Sequence, residues 1–279
     1  MTPAGGVGAG GAAANGAPSE PEVLVLPDAD AVSNVAAQRI AEALAGAVAA
    51  RGVAHWATTG GSTPSPIYRR LGAVPLRDAL PWPNAQVWWT DDRWAPPEGP
   101  LSNAQAFQEL LQPSVPIPAA NVHPVPVGDA MAGGNDARWA AARYADELRA
   151  AAMPLDRAGF PILDVALVGI GRDGHLFSVF PGSATWDDPA WVQAVPAPTN
   201  VEPQVARVTL HPRILDAVRR PVIVVHGAAK AAIVARIFGP RTDARELPAQ
   251  AARRRGATWI LDEGAAVLLP AHIGRTTVA

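Results

Sequence analysis

Short apolar runs alternate along the chain with longer Ala-rich stretches that carry polar residues at helical spacing. The runs are rich in Val, Ile, Leu and Trp and end at Gly, Pro or polar residues, which predicts strands. The predicted strands cover residues 23–26, 53–58, 86–89, 122–126, 162–168, 207–210, 221–226 and 258–261. The predicted helices cover residues 31–50, 64–71, 103–111, 136–152 and 229–238. This alternation predicts an α/β fold: a three-layer, open, mainly parallel sheet with helices on both faces, Rossmann-like and doubly wound.

Two stretches lack periodicity and are predicted to be loops, the polar residues 91–99 and the Pro-rich residues 181–204. Residues 1–22 are rich in Gly and Ala and bury too little surface to offset the entropy of ordering them, so we expect a disordered tail. Residues 23–279 show no linker and no internal repeat and are expected to fold as a single α/β domain.

Composition narrows the class of partner. Lys and Arg number 23 and Asp and Glu number 25, which gives a net charge of -2 and no basic field for nucleic acid or an anionic membrane. A small molecule is the expected partner, and the protein itself is expected to be a monomer or weak homo-oligomer. There is no cysteine, no secretory signal and no apolar run of membrane-spanning length, which favours the cytoplasm. Histidines without ligand-pair spacing predict no metal site, and no cofactor is expected.

The first candidate site is the segment Gly60-Gly61-Ser62-Thr63-Pro64, which joins a predicted strand to a predicted helix. The glycines permit a tight turn with outward N–H groups, and the helix dipole adds partial positive charge. The segment suits a phosphate, although an ordinary capped turn would show the same residues. It is not a Walker loop, because no Gly-Lys-Ser/Thr follows.

A second candidate site follows the strand at 86–89 and contains Asp91, Asp92 and Arg93, with Asn103 ahead of the next helix. Two acids and an arginine there can hold an imidazole, polarise a carbonyl or bind a phosphate. Loop capping and a surface ion pair are the alternatives, and for Asp92 alone they are favoured.

The third candidate site, after the most apolar strand, contains Asp173, Gly174 and His175. A histidine at the end of a strand is placed to act as a base near neutral pH. The run Gly169-x-Gly171-x-x-Gly174 also matches the dinucleotide-binding fingerprint. That interpretation is disfavoured because Pro181 arrives within two helical turns of Gly174, too early for a crossover helix.

Together these segments resemble the 6-phosphogluconolactonase family, which shares an α/β superfamily with glucosamine-6-phosphate deaminases. The similarity spans roughly residues 23 to 270 by order and spacing. The matching segments are GGSTP at 60–64, TDDR at 90–93, SN at 102–103, LVGIGRDGHLFSVFPGS at 167–183, RVTL at 207–210 and HGAAK at 226–230. Two positions depart from the family pattern: Asp92 replaces the usual Glu, and Leu176-Phe177 replaces the commoner Thr-Ala.

The resemblance implies a carboxylic ester hydrolase that opens 6-phospho-D-glucono-1,5-lactone in the oxidative pentose phosphate pathway. In that interpretation His175, oriented by Asp91, takes a proton from the attacking water, and Arg93 or backbone N–H groups stabilise the oxyanion. The remaining implied residues contact the substrate or its phosphate, and they are Gly60, Gly61, Ser62, Thr63, Asn103, Arg172, Asp173, Gly174 and Lys230.

Two alternatives remain open at the sequence level. A sugar-phosphate isomerase or deaminase would use the same Asp and His for proton transfer between carbons, but such enzymes usually continue towards Asn-Glu-Pro where this chain has Ser-Val-Phe-Pro-Gly. A non-catalytic sugar-phosphate sensor usually carries a DNA-binding segment, and residues 1–22 have neither the basic charge nor the periodicity of one.

Overall fold

The computed structural model describes residues 20–277, and of Thr277 only the backbone. The predicted tail at 1–22 lies outside these residues except for Glu20, Pro21 and Glu22, of which Glu22 already belongs to the first strand. The strands are β1 (Glu22–Leu26), β2 (Ala54–Thr58), β3 (Ala85–Trp89), β4 (Asp91–Arg93), β5 (Val122–His123), β6 (Val165–Gly169), β7 (Val192–Val195), β8 (Arg207–Leu210), β9 (Arg220–Val225), β10 (Thr258–Asp262) and β11 (Thr276–Thr277).

The α-helices are α1 (Ala29–Arg51), α2 (Pro64–Leu71), α3 (Leu76–Ala79), α4 (Gln105–Leu110), α5 (Val127–Ala132), α6 (Ala137–Ala150), α7 (Ile214–Ala217), α8 (Ala231–Phe238) and α9 (Glu263–Ala266). Single 3-10 turns occur at Trp82–Asn84, Gln112–Ser114, Ala119–Asn121, Ala184–Trp186, Ala228–Lys230 and Pro248–Ala252. Among these described helices, none combines the length and the apolar character that a membrane crossing requires.

The main sheet has eight strands in the order β11-β1-β10-β9-β6-β2-β3-β5, and every pairing in it is parallel. Its central strands are apolar at successive positions because helices cover the sheet, as parallel sheets require. The predicted α/β fold with a mainly parallel sheet and surrounding helices is confirmed.

A second, antiparallel sheet in the order β4-β8-β7 was not predicted. The sequence-based expectation of loops over 91–99 and 181–204 is wrong at β4 and β7, and β8 belongs to this small sheet rather than to the main one. Thr90 is the junction: its N–H donates to the Thr58 carbonyl of β2, and its own carbonyl accepts from Leu210 N, both at 2.8 Å.

Helix α1 shows how local sequence sets the elements. Asp28 caps its N-terminus by accepting the Ala31 N–H at 2.8 Å, and Gly52 ends it in the left-handed region at φ 78°. Between these residues, small side chains such as Ala36 and Ala37 are fully buried and let the helix lie close to the sheet.

An aromatic cluster fixes the part of the fold that carries two of the candidate segments. The Phe107 ring of α4 meets Trp56, Tyr68 and Trp89 edge-on, with ring centroids 5.4 to 6.1 Å apart. All four rings are fully buried, and such pairs add to the stabilisation from burial. The cluster therefore holds β2, β3, α2 and α4 in one rigid body.

Candidate active site

The candidate segments meet at one end of the main sheet. Strands β9, β6, β2 and β3 are neighbours, and the polar residues that follow each of them surround a cavity of about 620 Å³. Ligands of open α/β sheets bind beyond the carboxyl ends of the strands, which is where this cavity lies. Its lining includes the predicted site residues Gly60, Gly61, Ser62, Thr63, Asp91, Arg93, Asn103, Arg172, Asp173, His175 and Lys230.

Gly174 is the one predicted site residue that does not line the cavity. It adopts φ +88°, and a Cβ at this position would come 2.4 Å from Leu247 Cδ1. Its glycine identity therefore serves backbone conformation and packing against Leu247, and its contact with substrate stays a prediction.

The turn after β2 forms one wall of the cavity. Gly61 adopts φ +87°, and Thr63 leaves the N-terminus of α2 without a side-chain cap, so backbone N–H groups there stay available for an anion. Gly60 packs directly on Asn103: a Cβ at Gly60 would lie 2.0 Å from Asn103 Oδ1 and 2.5 Å from its Cα. Asn103 in turn donates its Nδ2 to the Asp91 carbonyl at 2.8 Å. The turn and β4 are thus held together by one side chain.

The histidine and a carboxylate form a pair. His175 Nδ1 lies 2.6 Å from Asp173 Oδ1, and the same oxygen accepts the His175 backbone N–H at 3.2 Å. Burial raises the pKa of Asp173, but the hydrogen bonds and charge of His175 outweigh it and the pKa lies below its ordinary value. Gly171 makes room for the ring, because a Cβ there would come 2.1 Å from His175 Nδ1.

Asp91 does not bond to His175, which corrects the prediction that it orients the imidazole. Its Oδ2 accepts the Ser178 hydroxyl at 2.6 Å, and its Oδ1 accepts the Thr90 hydroxyl at 3.0 Å. Asp91 still lines the cavity. It reaches the cavity from β4 of the small sheet, whereas His175 follows β6 of the main sheet.

Two arginines meet across the small sheet. Arg93 and Arg207 are direct partners in the ladder of β4 and β8, and both line the cavity. Burial lowers the pKa of Arg207, and the neighbouring charge of Arg93 lowers it further. Backbone carbonyls hold both guanidinium groups: Arg207 donates to Val205 and Pro203, and Arg93 donates to Leu101. The sequence had shown Arg207 only as the first letter of the RVTL match.

Lys230 is the only lysine of the chain and lies at the third side of the cavity. Its Nζ donates to the carbonyl of Ile170, the residue that directly follows β6. Burial lowers the pKa of Lys230, the charge of Arg172 lowers it further, and Asp173 opposes both. The cavity lining holds the cations Arg93, Arg172, Arg207 and Lys230 against the carboxylates of Asp91, Asp173 and Glu202, a balance that suits a ligand with one anionic group.

A second cavity of about 710 Å³ adjoins the first and was not predicted. The two share Asp173, Asn200 and Val201, and the second is lined mainly by apolar atoms of residues 180–185 and 193–199. In the part of the chain from 20 to 277, no three His, Cys, Asp or Glu side chains are grouped as ligands of a metal ion.

The chain matches known proteins along most of its length. The sequence model of the family described as glucosamine-6-phosphate isomerases/6-phosphogluconolactonase matches residues 27–260. A Streptomyces coelicolor protein named 6-phosphogluconolactonase is 33% identical over 255 residues, which cover 90% of this chain and 95% of that one. A Mycobacterium tuberculosis protein of the same name is 34% identical over 249 residues, with 89% and 98% covered.

Solved structures agree with the sequence comparison. The crystal structure of a devB protein superposes with a TM-score of 0.76 at 31% identity and covers 89% of this chain and 99% of its own. The 6-phosphogluconolactonase of Trypanosoma brucei superposes with a TM-score of 0.77 at 26% identity, with 91% and 100% covered. The chain therefore belongs to the glucosamine-6-phosphate isomerase/6-phosphogluconolactonase family.

Proposed function

We propose that this protein is a carboxylic ester hydrolase that converts 6-phospho-D-glucono-1,5-lactone to 6-phospho-D-gluconate in the oxidative pentose phosphate pathway. The names of the relatives support this substrate. The observation that carries the proposal is the His175–Asp173 pair at 2.6 Å in a cavity with an excess of cationic side chains. A base beside an anion-binding wall is what hydrolysis of a phosphorylated lactone requires.

His175 is the proposed general base. Because Nδ1 is occupied by Asp173, the imidazole presents Nε2 as its acceptor, and a neutral ring can take a proton from water through that atom. As the water oxygen bonds to the lactone carbonyl carbon, its proton passes to Nε2. Asp173 fixes the ring and stabilises the imidazolium that forms, and this role replaces the one first expected of Asp91.

The tetrahedral intermediate carries negative charge on the former carbonyl oxygen. Arg93 lines the cavity and is the proposed partner of this oxyanion, with Arg207 adding positive charge from the next strand. A preorganised donor of this kind contributes a few kcal/mol to lowering the barrier, typically about 3 kcal/mol. Collapse of the intermediate breaks the bond to the ring oxygen, which receives the proton held by His175. No covalent enzyme intermediate forms.

The phosphate is the proposed anchor of the substrate. The uncapped N-terminus of α2, with Gly60, Gly61, Ser62 and Thr63, offers backbone N–H groups, and Lys230 and Arg172 supply charge. Binding energy gained there holds the lactone carbon near His175 without taking part in the reaction. Asp91, which faces the same cavity, is the proposed acceptor for hydroxyl groups of the sugar.

Two further proposals concern the cellular compartment of the protein and its binding partners. We place the protein in the cytoplasm, supported by a cysteine-free sequence that suits a reducing compartment. We also propose a small-molecule partner only, neither nucleic acid nor membrane, and a monomer or weak homo-oligomer, supported by the net charge of -2.

The test is proton release after mixing the purified protein with freshly generated lactone, with the spontaneous rate subtracted. We expect acceleration by the wild type and its near-complete loss in His175→Ala. Unphosphorylated gluconolactone should be a poor substrate, because it lacks the anchor. No acceleration over the spontaneous rate, or ammonia release from glucosamine 6-phosphate in its place, would refute the proposed reaction.

A further inference from the structure

Among the described residues, the side-chain hydrogen bonds to the Asp91 carboxylate come from two hydroxyl groups. The residue is 4% exposed, and its two carboxylate oxygens accept from Ser178 and Thr90 at 2.6 and 3.0 Å. Within residues 20–277 no Lys, Arg or His forms an ion pair with it at 4.0 Å or less. The direction of this carboxylate therefore depends on two neutral donors, of which Ser178 is the closer.

Ser178 comes from the segment that carries His175, far from Asp91 in sequence. Its side chain is completely buried, and its backbone N–H donates to Thr209 Oγ1 at 3.2 Å. Thr209 is the ladder partner of Asp91 in β4 and β8. Ser178 thus contacts both members of one cross-strand pair, through its hydroxyl and through its backbone.

The backbone before Ser178 is strained in a way that this contact explains. Phe177 adopts φ 54°, a left-handed conformation that is uncommon for a bulky side chain. Phe177 lines the active-site cavity, and the next side chain is directed inward to Asp91. Strained residues persist where their surroundings fix them, often at functional sites. Here the strain accompanies the placement of Ser178 against the carboxylate.

We infer that Ser178 is a positioning residue that fixes Asp91 in the wall of the cavity and thereby joins the His175 segment to the small sheet. In its catalytic part the inference rests on the proposed lactone hydrolysis. His175 is oriented by Asp173, so Ser178 acts on the other carboxylate and leaves the base unchanged. Its loss lets Asp91 turn about its side-chain bonds and misplaces the sugar relative to His175.

A misplaced sugar affects the rate more than binding, because the phosphate anchor is separate from Asp91. We expect Ser178→Ala to lower kcat about 10- to 100-fold, the range for loss of a hydrogen bond to a charged group. KM should change less than about threefold, since contacts to the phosphate stay intact.

A double-mutant cycle separates this role from a general effect on packing. The variants are Ser178→Ala, Asp91→Asn and the double variant, each assayed for lactone hydrolysis and for unfolding in urea. Ser183→Ala is the matched control: it removes a serine hydroxyl from the same segment, and that hydroxyl bonds to Thr185. If Ser178→Ala does not fold, the cycle uses Ser178→Cys in its place. Cysteine keeps a small polarisable side chain and a weak donor.

We expect Ser178→Ala to lower kcat with Asp91 present and to have no further effect once Asp91 is Asn, and the two substitutions to be non-additive in unfolding. Equal effects in both backgrounds, or a loss matched by Ser183→Ala, would overturn the inference. If the wild type does not hydrolyse the lactone, the proposed function is refuted. The unfolding measurements still test the inference in that case, and additive changes in the free energy of unfolding would show that Ser178 does not hold Asp91.

Discussion

Asp173 Oδ1 lies 2.6 Å from His175 Nδ1, whereas Asp91, the carboxylate expected there, bonds to Ser178 and Thr90. The two carboxylates both line the cavity, so position alone does not distinguish them. Hydrogen bonding does: Asp173 bonds to the imidazole, and Asp91 does not. Asp91 is therefore free for the contact with the sugar that we propose.

Asp173→Asn tests this assignment. The amide cannot stabilise the imidazolium and permits the wrong tautomer of His175, so kcat should fall about 10²- to 10⁴-fold with little change in KM. Initial rates of proton release over a range of lactone concentrations measure both constants. The matched control is Asp188→Asn: Asp188 lines the neighbouring cavity, and its carboxylate accepts from the backbone N–H of Ala190. A kcat for Asp173→Asn equal to that of the control would contradict the pairing.

Lys230→Met removes the proposed phosphate cation and keeps the apolar stem. Because the contact is made in both ground and transition states, we expect KM to rise about 10-fold or more with kcat nearly unchanged. Arg157→Met, which removes an exposed cation away from the cavity, should leave both constants unaltered. An unchanged KM for Lys230→Met would exclude it from the phosphate site.

Gly60→Ala and Gly61→Ala separate close contact from backbone strain in the same turn. At Gly60 the new methyl would meet the Asn103 side chain and Cα, so we expect a loss of about 1–3 kcal/mol in the free energy of unfolding and a raised KM. At Gly61 there is open space but φ is +87°, which costs about 1–2 kcal/mol through strain alone. Urea unfolding and kinetics of both variants measure the difference. Unaltered KM in Gly60→Ala would show that Asn103 does not shape the turn.

Asp92 gives a pH dependence to stability. Burial raises the pKa of Asp92 to about 7. Hydrogen bonds from the backbone N–H groups of Asn103 and Arg93 lower the pKa, but by less than burial raises it. The folded state therefore binds this proton more tightly than the unfolded state, and stability falls as pH rises from about 4 to about 7. Asn cannot ionise, so this loss of stability is absent in Asp92→Asn. From pH 5.5 to pH 8.5 the free energy of unfolding of the variant should rise by about 2 kcal/mol relative to that of the wild type. Urea unfolding at both pH values measures it; a constant difference would contradict the raised pKa.

The sequence indicated which segments meet at one end of the sheet, because that follows from the order of the strands. Polar segments after consecutive strands meet because β9, β6, β2 and β3 are neighbours in a parallel sheet. It predicted β4 and β7 as loops because each is short and gains its hydrogen bonds from β8, more than ten residues away along the chain. The strand at 122–126 was predicted too long for the same reason, since only two residues find a partner.

Roles that depend on side-chain partners were beyond the sequence. Nothing in the order of residues tells which of Asp91 and Asp173 bonds His175, because the choice follows from Ser178 and Thr90. The glycine at 174 looks like part of a ligand-binding loop, yet its contact is Leu247, a residue more than seventy positions later. Arg207 became a site residue only when the ladder placed it opposite Arg93.

The solitary lysine has a practical consequence. Lys230 is the only lysine in the sequence, and its side chain lines the cavity. Reagents that acylate or crosslink lysine side chains therefore have one target residue in the sequence. A burial-lowered pKa makes more of the Lys230 amine available as a nucleophile. The labelling rate of Lys230 therefore reports on the cavity, because a bound ligand that covers the amine slows the reaction.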